Sequence, residues 1–309
     1  SSEIYNTSIR EISILLAGNC ETDCSDGRLR RRVKFRIFFL RKGGAMRLIR
    51  SCMSVGASVA VVLFCFGATA QYGAPANGDW PHYAGDQGST KYSPLSQINA
   101  ANFKNVRVAW RWASVDSELE DKTSFRPYHL RATPVVKDGV AYMSTGMSQG
   151  AAIDVASGET LWVHDPTHVL VQHRGVDFWS DGVNERVCIS TGGRQLVCLD
   201  AKTGEPDPHF ADGGWVDLLQ GLGRDVNPRN IGDNKPPVVV GDTVVVGSII
   251  MDFPTLKKNP PGHIRGYDAR SGALKWRFNT IPQAGEFGNE TWEDGSWEYS
   301  GNTNAWSLM

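Results

Sequence analysis

In this chain of 309 residues helical periodicity is scarce after Gln71, and cysteine is nearly absent beyond the first 70. Four of the six cysteines, Cys20, Cys24, Cys52 and Cys65, precede Gln71. The remaining pair, Cys188 and Cys198, provides neither a Cys-x-x-Cys-His haem attachment nor a spacing suited to a structural metal. The body also lacks an excess of basic charge. Residues 71–309 hold 21 Lys and Arg against 28 Asp and Glu, whereas residues 1–70 hold 11 against 5. An acidic body argues against a nucleic-acid partner, whose phosphates need a basic face. The apolar run from Val55 to Phe66 falls short of the roughly 20 residues that a membrane span requires.

That short run has a different meaning in its context. Met46-Arg47-Leu48-Ile49-Arg50 is a positive start, and Ala68-Thr69-Ala70 supplies small residues ahead of Gln71. Residues 46–70 therefore read as a secretory signal peptide, with a mature protein starting near Gln71. Phe64 before Cys65 does not suit a lipoprotein site. Residues 1–45 read as an upstream segment. Their stretch 28–42 alternates charged and apolar residues. It is either a membrane-surface helix or, the preferred reading, sequence without a structural role.

What the body has in quantity is strand and turn signal, in a phrase that repeats. Ile153-Asp154-Val155-Ala156-Ser157-Gly158 returns as Leu199-Asp200-Ala201-Lys202-Thr203-Gly204 and as Tyr267-Asp268-Ala269-Arg270-Ser271-Gly272. Trp162 and Trp276 close the first and third phrases; in the second, Phe210 is the expected substitute. Trp110 to Trp162 spans 52 residues and Trp162 to Trp276 spans 114, two steps of 57. This spacing predicts four-stranded β-propeller blades with long loops, in an all-β body. Two hairpins are predicted with turns at Asp138-Gly139 and Gly241-Asp242, pairs that supply positive φ. The 239 residues from Gln71 make about four blades. A propeller must close to remove its open edges, so the chain is expected to be C-terminally truncated and inactive by itself.

Cys188 and Cys198 flank the turn Thr191-Gly192-Gly193-Arg194. In one register they face each other within disulfide reach. A slip of one residue separates them, and the reading favoured here is two small apolar strand residues.

Several ordered segments carry a family resemblance. They are Asp79-Trp80-Pro81-His82-Tyr83-Ala84-Gly85-Asp86, Lys91-Tyr92-Ser93-Pro94-Leu95, Asn105-Val106-Arg107-Val108-Ala109-Trp110, Arg174-Gly175-Val176 and the turn at residues 200–204. Together they resemble the pyrroloquinoline quinone (PQQ)-dependent dehydrogenases over residues 78–309. The resemblance implies an eight-bladed propeller with PQQ on its axis. It also implies oxidation of CH–OH groups in sugars, polyols or alcohols by hydride transfer to the quinone, assisted by Ca²⁺ or Mg²⁺.

By that resemblance Arg174 pairs with a cofactor carboxylate, for which a planar guanidinium suits. Trp306 forms the floor under the quinone ring. Asp252 is a ligand of the hard cation, which takes oxygen donors. Thr191 and Asn304 are candidates for hydrogen bonds to the cofactor. His168 and His173 stand where alcohol-oxidising members carry two adjacent cysteines, a departure that resembles the glucose and polyol branch. The family's catalytic Asp has no counterpart here, and no general base is named. Electrons would pass to a quinone or a cytochrome. The expected location is the periplasm, with membrane association left open. The rival reading is a non-enzymatic periplasmic propeller, a scaffold or binding protein, because fold alone does not fix function.

Overall fold

The computed structural model describes residues 14–23, 30–39 and 73–305, apart from 117, 119–129, 165–173, 234 and 252–255. The chain divides into two units, residues 1–69 and 70–309. In the first, β1 (Ile14–Asp23) and β2 (Arg30–Phe39) form an antiparallel pair running from Ile14 opposite Phe39 to Asp23 opposite Arg30. Residues 30–39, within the stretch read as sequence without a structural role or alternatively as a membrane-surface helix, thus form a strand. Charge alternating with apolar groups every second residue is the period of a strand, not of a helix. Residues 46–70, read as a signal peptide, lie outside the described residues.

The second unit is built from sheets of four antiparallel strands. β3 (Val135–Lys137), β4 (Val140–Ser144), β5 (Gly150–Asp154) and β6 (Thr160–His164) pair in chain order. β7 (Asp177–Ser180), β8 (Glu185–Ser190), β9 (Gln195–Asp200) and β10 (Trp215–Asp217) repeat the arrangement. After β11 (Ile231–Gly232) the third sheet begins with β12 (Val238–Val240) and β13 (Thr243–Val246). β14 (Ile249–Ile250) turns aside to pair with β11, and β15 (Ile264–Asp268) and β16 (Leu274–Phe278) complete the sheet. Both expected hairpins form, with Lys137 opposite Val140 and Val240 opposite Thr243.

The first strands of successive sheets meet side by side. Thr133 bridges Gly175, a Cβ on Gly175 would lie 3.6 Å from Pro236, and the Val239 amide donates to Asp177 at 2.6 Å. The outer strands β6 and β16 are largely exposed, while β8 and β9 are buried. This radial order is that of propeller blades. Alternation in β8 and β9 then serves two cores at once, because successive side chains leave opposite faces of a strand. Val187, Ile189, Val197 and Leu199 pack with Val135, Tyr142 and Phe178 toward the first blade. Cys188, Leu196 and Cys198 pack with Val244, Val246 and Tyr267 toward the third.

The repeated phrase is a docking turn. The carboxylate of Asp154 accepts from the Ser157 amide at 2.7 Å, that of Asp200 from Thr203 at 2.9 Å and that of Asp268 from Ser271 at 2.9 Å. Gly158, Gly204 and Gly272 follow with φ of 79°, 74° and 71°, the left-handed region that glycine adopts without strain. A Cβ on Gly158 would strike the Trp110 ring at 2.6 Å, and one on Gly204 would strike Trp162 at 2.5 Å. Each indole also donates to the carbonyl just after the Asp: Trp110 to Val155 and Trp162 to Ala201, both at 2.9 Å. Residues 104–112 are therefore the docking arm of a further blade, placed before the three complete sheets.

The third junction departs from the sequence expectation. Ala211, not Phe210, rests on Gly272, and its amide donates to Ser271 at 3.0 Å. Phe210 turns inward and is fully buried. The carbonyl that an indole would take, that of Ala269, accepts from the Arg186 guanidinium instead. A second correction concerns Cys188 and Cys198, which are disulfide-bonded with Cα atoms 4.1 Å apart. The three-residue loop fixes the register at Cys188 opposite Cys198. The pair falls at a non-hydrogen-bonded position, the closer of the two kinds, since Cys198 directs its amide to Gly214 and its carbonyl to Asp207.

Candidate functional site at the inner strand ends

Strand register decides which residues share an end of the blades. In the second blade Asp177 lies opposite Cys188. Carried three residues further, the same register sets Arg174, ahead of β7, opposite Thr191, beyond β8. In the third blade Val238 lies opposite Val245, which sets the lead-in to β12 beside Gly247 and Ser248. Tertiary contacts join these ends. The Ser190 hydroxyl donates to Asp233 at 3.3 Å, and Lys235 points its Nζ at Gly247, 2.7 Å from where a Cβ would stand. The methyl of Ala305 lies 3.2 Å from the same point.

Arg174, Thr191 and Asn304 are thereby brought to one end of the inner strands. Thr191 is 3 % exposed and its hydroxyl donates to the Gln195 side chain at 3.4 Å. Asn304 commits its amide to Ile250, accepting from the amide at 2.6 Å and donating to the carbonyl at 3.4 Å. It thus holds the chain just ahead of Met251. His168, His173, Asp252 and Trp306 lie outside the described residues.

Sequence reasoning passed over two groups at this end. Asp233 is 2 % exposed and Lys235 is 5 % exposed. Burial pushes the Asp233 carboxyl up to about 6, against the pull of the Lys235 charge. Burial pushes the Lys235 ammonium down; Asp233 opposes this and the nearby Arg174 charge adds to it. Asp233 accepts from the Lys235 backbone amide at 3.0 Å, while the Lys235 Nζ has no hydrogen-bond partner among the described residues. A position count would have found Lys235: like Arg174, it stands three residues before the first residue of an inner strand.

Below these ends, along the inner strands, lies a cavity of about 270 Å³ lined by residues of the segment from His82 to Ser89, by Val176 and Asp177, and by Pro236 to Val240. His82 faces Asp177 across 3.6 Å, and that carboxylate raises the imidazole above its ordinary value despite burial. Among the described residues no three His, Cys, Asp or Glu side chains gather to hold a metal. No helix among them is long and apolar enough to cross a membrane.

Repeated blades, docking turns and a cation-bearing inner end define a β-propeller of the quinoprotein class. The family model "PQQ: Glucose/ethanol/alcohol dehydrogenase, beta-propeller domain" matches residues 80–309, and the chain belongs to that family. It is similar to the glycerol dehydrogenase large subunit of Gluconobacter thailandicus, 31% identical over 250 residues, which cover 76% of this chain and 33% of that protein. Quinoprotein glucose dehydrogenase A of Acinetobacter calcoaceticus is 30% identical over 229 residues, 66% of this chain and 28% of that one. Among solved structures, quinohemoprotein alcohol dehydrogenase of Comamonas testosteroni superposes with a TM-score of 0.53 at 29% identity, over 68% of this chain and 28% of its own. The chain thus spans about a third of the length of the relatives it matches.

The described residues fit a quinone that carries carboxylates. Among the described residues the Lys235 Nζ is a buried ammonium without a hydrogen-bond partner, acted on by the nearby Arg174 charge. Such a site is stabilised by an anion.

Proposed function

We propose that the protein is a PQQ-dependent dehydrogenase that oxidises CH–OH groups of sugars, polyols or alcohols. The observation that carries this is the pairing of family membership with a cationic end on the inner strands. When bound, the quinone supplies the two-electron oxidant, and the protein's part is to bind and orient it. Arg174 receives a carboxylate in two-pronged fashion. Thr191 offers its hydroxyl from the loop beyond β8. Asn304 acts through Ile250, setting the segment that leads to Asp252 and the chain that leads to Trp306. Trp306 supplies an apolar floor, Asp252 an oxygen ligand for Ca²⁺ or Mg²⁺, and His168 and His173 are further candidates for contacts to the cofactor. A quinone or a cytochrome takes the electrons. The Cys188–Cys198 disulfide supports an oxidising compartment, in keeping with export to the periplasm through residues 46–70.

Titration of the full-length gene product with PQQ in the presence of Ca²⁺ tests the reading. Saturable quinone binding and dye reduction with glycerol, glucose or ethanol are expected. Absence of both would leave a non-enzymatic propeller.

A further inference from the structure

The segment from Asp79 to Tyr92 meets the inner strands of all three blades, and its hold weakens from one to the next. On the first blade it is fixed. Trp80 and Val136 exchange two backbone hydrogen bonds, at 2.8 and 2.9 Å. The Asp79 carboxylate accepts from the Asp138 amide at 2.9 Å and pairs with Lys137 at 3.0 Å. On the second blade the hold is one charged pair, His82 and Asp177 at 3.6 Å. At the third blade the segment borders the cavity of about 270 Å³, whose wall there is the apolar run Pro236 to Val240.

Residues 82–92 keep their own shape. The Lys91 amide donates to the Ala84 carbonyl at 2.9 Å, and the Gly85 amide to that of His82 at 3.0 Å. The Asp86 carboxylate gathers the Thr90 amide at 2.9 Å, the Thr90 hydroxyl at 2.8 Å and the Gly73 amide. Trp80 is the base of the loop. Its indole donates to the Tyr83 carbonyl at 3.3 Å and lies against Gly85. None of these bonds reaches a blade. Among the described residues, His82 to Asp177 is the one polar link from residues 82–92 to the blades. A compact loop bonded within itself and tethered at one point swings without unfolding.

That tether is conditional on a proton. Asp177 is 5 % exposed, and the amides of Phe178 at 3.0 Å and Val239 at 2.6 Å hold its carboxylate in place without His82. The imidazole attracts it as a cation only when protonated. Asp177 on β7 and Asp86 on the segment itself are the charged groups acting on His82; both raise it, and burial opposes them. β12 brings only apolar side chains to the cavity. The contact is therefore complete below the unfolded histidine's value of about 6.5 and is lost as pH rises through the raised one.

We propose that residues 82–92 form a lid over the cavity beside β7 and β12, latched by His82 on Asp177 and released when the imidazole gives up its proton. Release uncovers Val176 and the run Pro236 to Val240, an apolar wall along the inner strands. The bond from Val239 to Asp177 stays in place, so the blades keep their arrangement. The lid does not depend on which cofactor the protein holds.

Hydrogen exchange read by mass spectrometry on the full-length gene product tests the latch, at about pH 6 and about pH 9, with each rate divided by the intrinsic rate at that pH. Wild type, His82→Gln and His82→Lys are compared, all at a partly exposed side chain. In wild type, peptides holding the Phe178 and Val239 amides should exchange roughly two- to fivefold faster at the higher pH, the range expected for one partly exposed ion pair. His82→Gln should show no pH response, and His82→Lys should stay at the slow rate at both values. Peptides of β8 and β9 should stay level throughout. The neutral dye Nile red should gain fluorescence with wild type as the pH rises, and not with His82→Lys. Wild type without a pH response, or His82→Gln with the wild-type response, would overturn the latch. A dye signal that stays level in wild type while exchange quickens would overturn the uncovering of the cavity.

Discussion

The second and third docking junctions solve one problem with different chemistry. At the second, Trp162 covers Gly204 and its indole N–H takes the Ala201 carbonyl. At the third, the small Ala211 covers Gly272, and the equivalent carbonyl, that of Ala269, goes to Arg186. Arg186 is 3 % exposed, donates also to Arg270 at 2.7 Å and pairs with Asp207 at 2.6 Å. Its guanidinium lies over Trp179 and Phe210, 5.1 and 5.8 Å from their centroids. One indole supplies both surface and a donor. Where it is missing, a methyl supplies the contact, and a buried cation from the preceding blade supplies the donor. The turn is the constant part, and what docks on it is interchangeable.

Breaking the ionic junction should cost most. Arg186→Met strands the Asp207 carboxylate and is expected to destabilise the protein by about 3–5 kcal/mol in denaturant unfolding. The disulfide comes next. It closes a short hairpin on the face toward the third blade, so Cys188→Ala with Cys198→Ala should remove about 3 kcal/mol under oxidising conditions and nothing further under reduction. Trp162→Ala is expected to cost about 2–3 kcal/mol, less than a fully buried Trp, because the ring is only partly covered.

The third blade should also dominate acid sensitivity. Burial, with the charges of Arg277, Arg265 and Arg224 adding to it, pushes the His263 imidazole down to about 4. The unfolded chain therefore binds a proton between about pH 6.5 and 4 that the native state refuses, and stability falls as pH drops through that window. At pH 5 this amounts to about 2 kcal/mol. Asp233, with its carboxyl raised to about 6, acts in the opposite sense. Comparing wild type with His263→Gln isolates the histidine: the variant's melting temperature should decline less steeply from pH 7 to 5. The smallest effect is expected at the methyl. Ala211 has φ of 49°, so Ala211→Gly relieves strain while losing a small contact, and stability should move by no more than about 0.5 kcal/mol.

These contrasts also explain what was legible in the sequence. The turns Asp154 to Gly158, Asp200 to Gly204 and Asp268 to Gly272 were readable because their hydrogen bonds lie within five residues and the glycine is set by local φ. The hairpins at Asp138-Gly139 and Gly241-Asp242 were readable for the same reason. The third junction was not, since Ala211 meets a glycine 61 residues away and depends on Arg186 from another strand. Phe210 attracted the docking role by being aromatic, but its ring is needed in the core. The disulfide turned on a register that one residue's slip would change. Arg174 was visible by family resemblance, whereas Lys235, before two prolines, is singled out only by its burial, which depends on contacts distant in sequence. The roles of His168, His173, Asp252 and Trp306 stay with the proposal.

A structure of the full-length protein with bound PQQ would bear most directly on the quinoprotein reading. Expected is a quinone carboxylate within hydrogen-bond distance of Arg174, at the end of the inner strands that Thr191 shares. A quinone seated elsewhere, with the lead-ins to β7 and β12 untouched, would contradict it.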